Sequence, residues 1–223
     1  MTDRSRSKII NDIISACDEN YDLRLKDVIK LISGYSVIPF NRENSDDLAV
    51  LENLKKAANI AVERIREKKI ITKRANEVGN KIEAFVREAL CAVGYDAQIP
   101  STSKGIHRSA GYPDIVFMDR FDRTIVTYLE CKTYNIQNIN TTQRSFYLSP
   151  SDDFKIIADA HHFVISIEII EEGREKDNNI YSAKGWKILD VSELRMSLKL
   201  EFNSNNKEMY RRENNFILAE SDR

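Results

Sequence analysis

Cysteine is scarce in this 223-residue chain. Cys17, Cys91 and Cys131 are odd in number and show no C-x-x-C spacing, which excludes a disulfide framework and leaves reduced, buried thiols as the expectation. Long apolar runs are missing as well. No stretch approaches the roughly 18 apolar residues of a membrane helix, so no membrane span is expected. The opening Met1-Thr2-Asp3-Arg4-Ser5 leads straight into a polar amphipathic stretch without an apolar signal region, and the expectation is a cytoplasmic protein that is not exported. Of three histidines, His161 and His162 have no further His or Cys at ligand spacing and read as structural. No internal repeat or low-complexity linker is visible. A charge excess is absent too: 34 Lys and Arg face 35 Asp and Glu, a net of −1. Proteins that neutralise many phosphates often carry a basic surplus. Any nucleic-acid contact here must therefore come from a local field.

What is present suffices for one domain with a helical appendage. Hydrophobic residues make up 42% of the chain, enough for a core, and charged residues 31%. Residues 4–19 predict a helix with Ile9, Ile10, Ile13, Ile14 and Cys17 on one face, and 23–32 a second, ended by Gly34. Asn44-Ser45-Asp46-Asp47 predicts the cap of a long helix to about Lys69. Its stripe Leu51, Leu54, Ala58, Ala61 and Ile65 suits either core packing or a coiled-coil contact between subunits. The basic run Arg64, Arg66, Lys68, Lys69, Lys73, Arg74 reads as a solvated helix face or a phosphate-tracking patch. A further helix over 76–93 would bury Val78, Ile82, Phe85, Val86, Ala89, Leu90 and Val93, with Glu83 at the edge of the stripe.

The chain is organised around Gly111 to Lys132. Asp114-Ile115-Val116-Phe117-Met118 and Thr124 to Lys132 are two strand-like runs joined by the polar Asp119, Arg120, Asp122 and Arg123, a hairpin pattern. Alternation puts Glu130 and Lys132 on one face and Leu129 and Cys131 on the other. The start of one antiparallel strand lies beside the end of its partner, so Asp114, Glu130 and Lys132 converge. They form either a surface salt bridge or, with a cation between the carboxylates, a metal site. Two like charges raise a carboxyl pKa unless something positive sits between them, and hard oxygen ligands suit Mg²⁺.

Pro113-Asp114 followed by Glu130-Cys131-Lys132 resembles the PD-(D/E)XK nuclease superfamily, and most of all its type II restriction endonucleases. Gly79-Asn80-Lys81-Ile82-Glu83 is similar to the glutamate-bearing helix of many such enzymes. Gln143 to Pro150, then Asp159 to Val164, resembles the core that follows their active-site lysine. The resemblance covers roughly residues 75–205. It implies an α/β fold with a central mixed β-sheet flanked by helices, and a catalytic core over 75–223 with a C-terminal DNA-reading loop; the helical pattern before it makes 1–74 the expected helical N-terminal region, for dimerisation or DNA contact. It implies Mg²⁺ held by Asp114 and Glu130 with the backbone carbonyl of Cys131, Glu83 joining or backing the site, and Lys132 handling the attacking water. The implied partners are double-stranded DNA, a second copy of the chain and a cognate DNA methyltransferase. The implied reaction is sequence-specific hydrolysis to 5′-phosphate and 3′-hydroxyl ends. Repair nucleases and junction resolvases share the motif. A non-catalytic DNA-binding α/β protein would carry the three charges incidentally.

Three polar segments are candidates for DNA contact: Lys104, His107 and Arg108 in the loop before Asp114; Asn138, Asn140, Gln143 and Arg144 after Lys132; and Asn203, Asn205 and Lys207 in the tail. Asn and Gln can pair bidentately with adenine and Arg with guanine, although such loops also occur without a ligand. Ser149-Pro150-Ser151-Asp152-Asp153 predicts the cap of a helix to about Ala160, crossing over to a strand at 162–170. Residues 172–179 predict a polar loop and 186–190 a last strand.

Overall fold

The structure is a computed structural model that describes residues 8, 11–12, 15, 23–74, 77–121, 125–141, 145–198 and 204. Residues 23–195 form one compact unit, and residues 1–22 with 196–223 another. Of the helix expected over 4–19, Lys8, Asn11, Asp12 and Ser15 are described; they are helical and exposed. The apolar stripe expected there, and Cys17, lie outside the described residues.

In the larger unit, α1 (Leu25–Ser33) ends at Gly34, whose φ of 78° is the left-handed value that glycine adopts without a Cβ penalty. α2 (Ser45–Lys68) starts where the sequence places it. Asn44 accepts hydrogen bonds from the Asp46 and Asp47 amides, while Asp46 and Asp47 put negative charge at the positive end of the helix. α3 spans Glu77–Ala92.

The strands are β1 (Leu23–Arg24), β2 (Ile70–Thr72), β3 (Tyr95–Gln98), β4 (Ile115–Asp119), β5 (Thr127–Tyr134), β6 (His161–Glu175), β7 (Asn178–Asp190) and β8 (Arg195–Met196). Six of them form one sheet in the order β2-β7-β6-β5-β4-β3. Only β5 and β6 are parallel within it. The sheet is therefore mixed, with α2 and α3 against one face. Leu54, Ala58, Ala61 and Ile65 of α2 and Ile82, Val86 and Leu90 of α3 meet Leu129, Cys131, Ile165 and Ile167. Apart from the half-buried Leu51, the α2 stripe is thus core, not a subunit seam. Leu54 is fully buried, and Leu54→Ala would cost about 2–5 kcal/mol.

The basic run at the end of α2 is partly structural. Arg66 donates to the carbonyls of Ala183 and Lys184, and Lys69 pairs with Glu172.

Two expectations are corrected. Residues 151–160 form no helix but an irregular crossover. Their polar groups bond elsewhere: the Asp153 carboxylate accepts from the Lys104 amide, the Ser103 amide donates to the Phe154 carbonyl, and Lys155 turns inward. Local and tertiary partners of this kind compete with a helical ladder. Residues 172–179 are no loop but the far end of a hairpin. β6 runs to Glu175 and β7 starts at Asn178, with Lys176 at φ 53° in the turn. There the ribbon leaves the core, so its side chains are polar on both faces and period-two alternation fades.

Candidate active site

The expected β4–β5 hairpin forms, with Ile115 opposite Leu129. Asp114 sits one residue before β4, where ladder pairing stops. The Cys131 amide therefore lacks a β4 carbonyl and donates to Asp114 Oδ2 at 2.8 Å. Leu129 and Cys131 enter the core, and Glu130 and Lys132 share the opposite face. Glu130 is almost fully buried, and its Oε1 accepts from Lys132 Nζ at 2.7 Å. Glu130 Oε2 is buried without a hydrogen-bond partner. The convergence of the three charges is thus a geometric fact.

Electrostatics follow from burial. Glu130 is pushed up to about 7 by burial and by Asp114, with Lys132 opposing. Burial also raises Asp114, while the Cys131 amide, Lys132 and Lys155 pull it back. Glu83 on α3 is raised to about 7, first by burial and then by Asp114, so it lies within the field of the same cluster. Among the described residues no three His, Cys, Asp or Glu side chains are grouped to hold a metal. Asp114 and Glu130 are a pair, and Glu83 on α3 feels the charge of Asp114.

Sequence reasoning missed the groups that hold this arrangement. Lys155 is buried, and its ammonium donates to the carbonyls of Ser109 (3.1 Å), Gly111 (2.6 Å) and Pro113 (2.9 Å). It ties down the segment that delivers Asp114. Nothing local marks it, since its partners lie 42 to 46 residues upstream. Tyr112 bonds His162 Nδ1 at 2.7 Å, and its ring packs on Phe146, over which Lys132 Nζ lies at 5.8 Å. His161 bonds the Ile38 carbonyl and Asp47. Both histidines are structural.

The loop residues are placed as follows. Lys104, His107 and Arg108 are exposed on a turn closed by a bridge between Ser101 and His107. Arg108 donates to the Asp153 carbonyl at 2.9 Å, and the Ser101 hydroxyl meets the His107 ring. Asn138 ends a 3-10 turn (Ile136–Asn138) just after β5, and Asn138 and Asn140 are exposed. Gln143, Arg144, Asn203, Asn205 and Lys207 lie outside the described residues. No helix among the described residues is long and apolar enough to cross a membrane.

A buried and a half-buried carboxylate beside an ammonium, with one carboxylate oxygen unmatched, suit a hard cation and the activation of water. Residues 17–213 match the family described as "Type II restriction enzyme MjaV family". Over 209 residues, 87% of this chain and 86% of the relative, the sequence is 40% identical to the type II restriction enzyme MjaV of Methanocaldococcus jannaschii.

Proposed function

The chain belongs to the type II restriction enzyme MjaV family, and from that premise we propose that it is a Mg²⁺-dependent endonuclease. It cuts double-stranded DNA at a specific sequence and leaves 5′-phosphate and 3′-hydroxyl ends. The observation that carries this reading is the buried Glu130 Oε2, which no donor satisfies, on a carboxylate whose neighbour Asp114 is of like charge. An orphaned buried carboxylate oxygen is costly, and a cation satisfies it. Asp114 and Glu130 would hold Mg²⁺, which commonly takes one or two carboxylates and keeps waters for a phosphate to displace. The Cys131 carbonyl is a fitting further ligand, because the amide and carbonyl of one strand residue face the same edge, here that of Asp114. Glu83 backs the pair. When bound, the metal supplies Lewis-acid polarisation of the phosphoryl oxygen.

The protein's own groups do the rest. Lys132 is held by Glu130 Oε1 on the inner side and is 27% exposed on the outer. From there it orients the attacking water, takes part in its deprotonation and offsets the charge that grows on the phosphoryl oxygens. Asp114 is fixed by the Cys131 amide and by the anchored segment before it. Lys104, His107, Arg108, Asn138 and Asn140 are the described candidates for DNA contact. Gln143, Arg144, Asn203, Asn205 and Lys207 extend that set from sequence. A homodimer fits a palindromic site, and in the 1–74 region any contact with a second subunit or DNA falls to residues other than the buried α2 stripe. The enzyme acts in the cytoplasm beside a DNA methyltransferase that blocks the same sites in the host genome.

Incubation of the purified protein with phage DNA, with and without Mg²⁺, tests this. Discrete bands that need Mg²⁺ are expected. A smear, or cutting confined to branched substrates, would move the protein among repair nucleases or resolvases. No cutting under any divalent cation would remove it from the nucleases.

A further inference from the structure

The sheet face that carries Lys132 continues past the active site. Cross-strand pairing sets Lys132 opposite Ser166 and Ser166 opposite Lys187, one row over β5, β6 and β7. Trp186 and Ile188 pack against the core. Lys187 and Leu189 therefore project from the other face, where Leu189 is 42% exposed. Two strand spacings separate the Cα atoms of Lys132 and Lys187 by about 9–10 Å. Side chains of that length then reach neighbouring phosphates of one nucleic-acid strand.

The charges on this face are unevenly matched. Lys132 pairs with Glu130. Glu168, next on the same face, receives the Tyr134 hydroxyl at 3.4 Å and faces Lys184 Nζ at 3.9 Å. Lys184 is the extra residue of a bulge between the pairs Glu168–Gly185 and Ile169–Ala183, which re-aims its side chain. Lys187 is exposed, and among the described residues no carboxylate pairs with it. Its ammonium lies 4.9 Å from the centre of the Tyr134 ring, which steadies it above the sheet.

We propose that the row Lys132–Ser166–Lys187 is a phosphate track, in which Lys187 binds a backbone phosphate of the cut strand beside the scissile one. This rests on the nuclease reading above and adds a contact to it. A steadied ammonium without an amide or guanidinium neighbour in the row binds a phosphate as a point charge and does not read a base edge. Lys187 thus supplies part of the local positive field that the overall charge of −1 does not.

The test is equilibrium binding of a random-sequence duplex to the full chain without divalent metal, across about 50 to 200 mM salt. Lys187→Gln should lower the slope of log K against log salt by about 0.9, the loss of one phosphate contact, and weaken binding several-fold. Lys187→Arg should restore the slope. Lys55→Gln, on the far side of α2 and paired with Glu52, should bind as wild type. An unchanged slope in Lys187→Gln, or an equal fall in Lys55→Gln, overturns the track. If the wild type cuts DNA with Mg²⁺ while the slope stays unchanged, only the track fails. If the wild type neither binds nor cuts duplex DNA, the nuclease reading fails with it.

Discussion

The backbone amide of Cys131 donates to the side chain of Asp114 at 2.8 Å, so a carboxylate outside both strands is fastened to the strand of Glu130 and Lys132. The bond exists because β4 stops pairing at Ile115 and leaves that amide to be satisfied by a side chain. Two variants separate its structural part from its charge. Asp114→Asn keeps an acceptor oxygen and removes the charge. Asp114→Ala removes both and leaves a buried amide unsatisfied, at about 1–3 kcal/mol. Neither should cut plasmid DNA in Mg²⁺, and the alanine variant should melt at a lower temperature than the asparagine variant. Full cleavage by either would sink the assignment of Asp114.

Lys132→Ala should reduce cleavage by on the order of 10²- to 10⁴-fold, the usual contribution of a positioned proton-transfer group. The Lys132 side chain is 27% exposed and its partner is a single carboxylate, so folding should persist, and DNA binding should weaken only several-fold, by the one phosphate contact Lys132 makes in the track. Single-turnover cleavage beside a binding titration would show it. Loss of binding in step with cleavage would instead make Lys132 a DNA anchor.

Glu130→Gln should stabilise the metal-free protein, and more so as pH rises. The folded protein raises Glu130 to about 7, against an ordinary 4.5. Between those values the folded state holds a proton that the unfolded state has released, so this group's contribution is fullest below pH 4.5 and is lost as pH rises through about 7. Glutamine carries no such penalty. In a chelator, the variant should match wild type near pH 5 and exceed it near pH 8 by a few kcal/mol at most. Added Mg²⁺ should stabilise wild type but not the variant. A pH-independent difference would show that Glu130 titrates normally.

The hairpin was legible because its signals are local: β-branched alternation, a polar turn and charges set at strand ends. Asn44 was legible for the same reason, since a cap bonds amides two and three residues on. Lys155 was not. In Asp153-Phe154-Lys155-Ile156-Ile157 it occupies what looks like the polar face of a helix, and only the three carbonyls of a distant segment draw it inward. The same segment misled on secondary structure. Asp153 resembles a helix cap, yet its carboxylate serves the 101–108 loop. Residues 172–179 misled by their polarity, because a ribbon beyond the core has no apolar face to display.

Lys155→Met tests that hidden anchor. It removes an ammonium bonded to three carbonyls and leaves those acceptors short of a donor inside the protein. The loss should amount to about 3 kcal/mol or more, read as a lower denaturant midpoint. The Asp114 segment should loosen with it, so the variant's residual affinity for Ca²⁺, measured by calorimetry below its melting temperature, should fall as well. Unchanged stability would mean that the ammonium is not held as described.

Tyr112→Phe probes the other support of that segment. Tyr112 bonds His162 Nδ1 at 2.7 Å, and His162 Nε2 is buried without a partner. Burial lowers His162 to about 3, so it is neutral in the folded protein. Its contribution is therefore present above the ordinary value of 6.5 and is lost as pH falls toward 3. Phenylalanine takes away the one hydrogen bond to the ring, which then has both nitrogens unmatched, at about 1–3 kcal/mol near neutral pH. Acid should not close the gap between wild type and variant, because the depressed pKa comes chiefly from burial, which phenylalanine retains. Melting curves from about pH 7 down to 5 should run parallel, the variant below the wild type. A gap that vanishes on acidification would mean that the Tyr112 hydroxyl, and not burial, keeps His162 neutral.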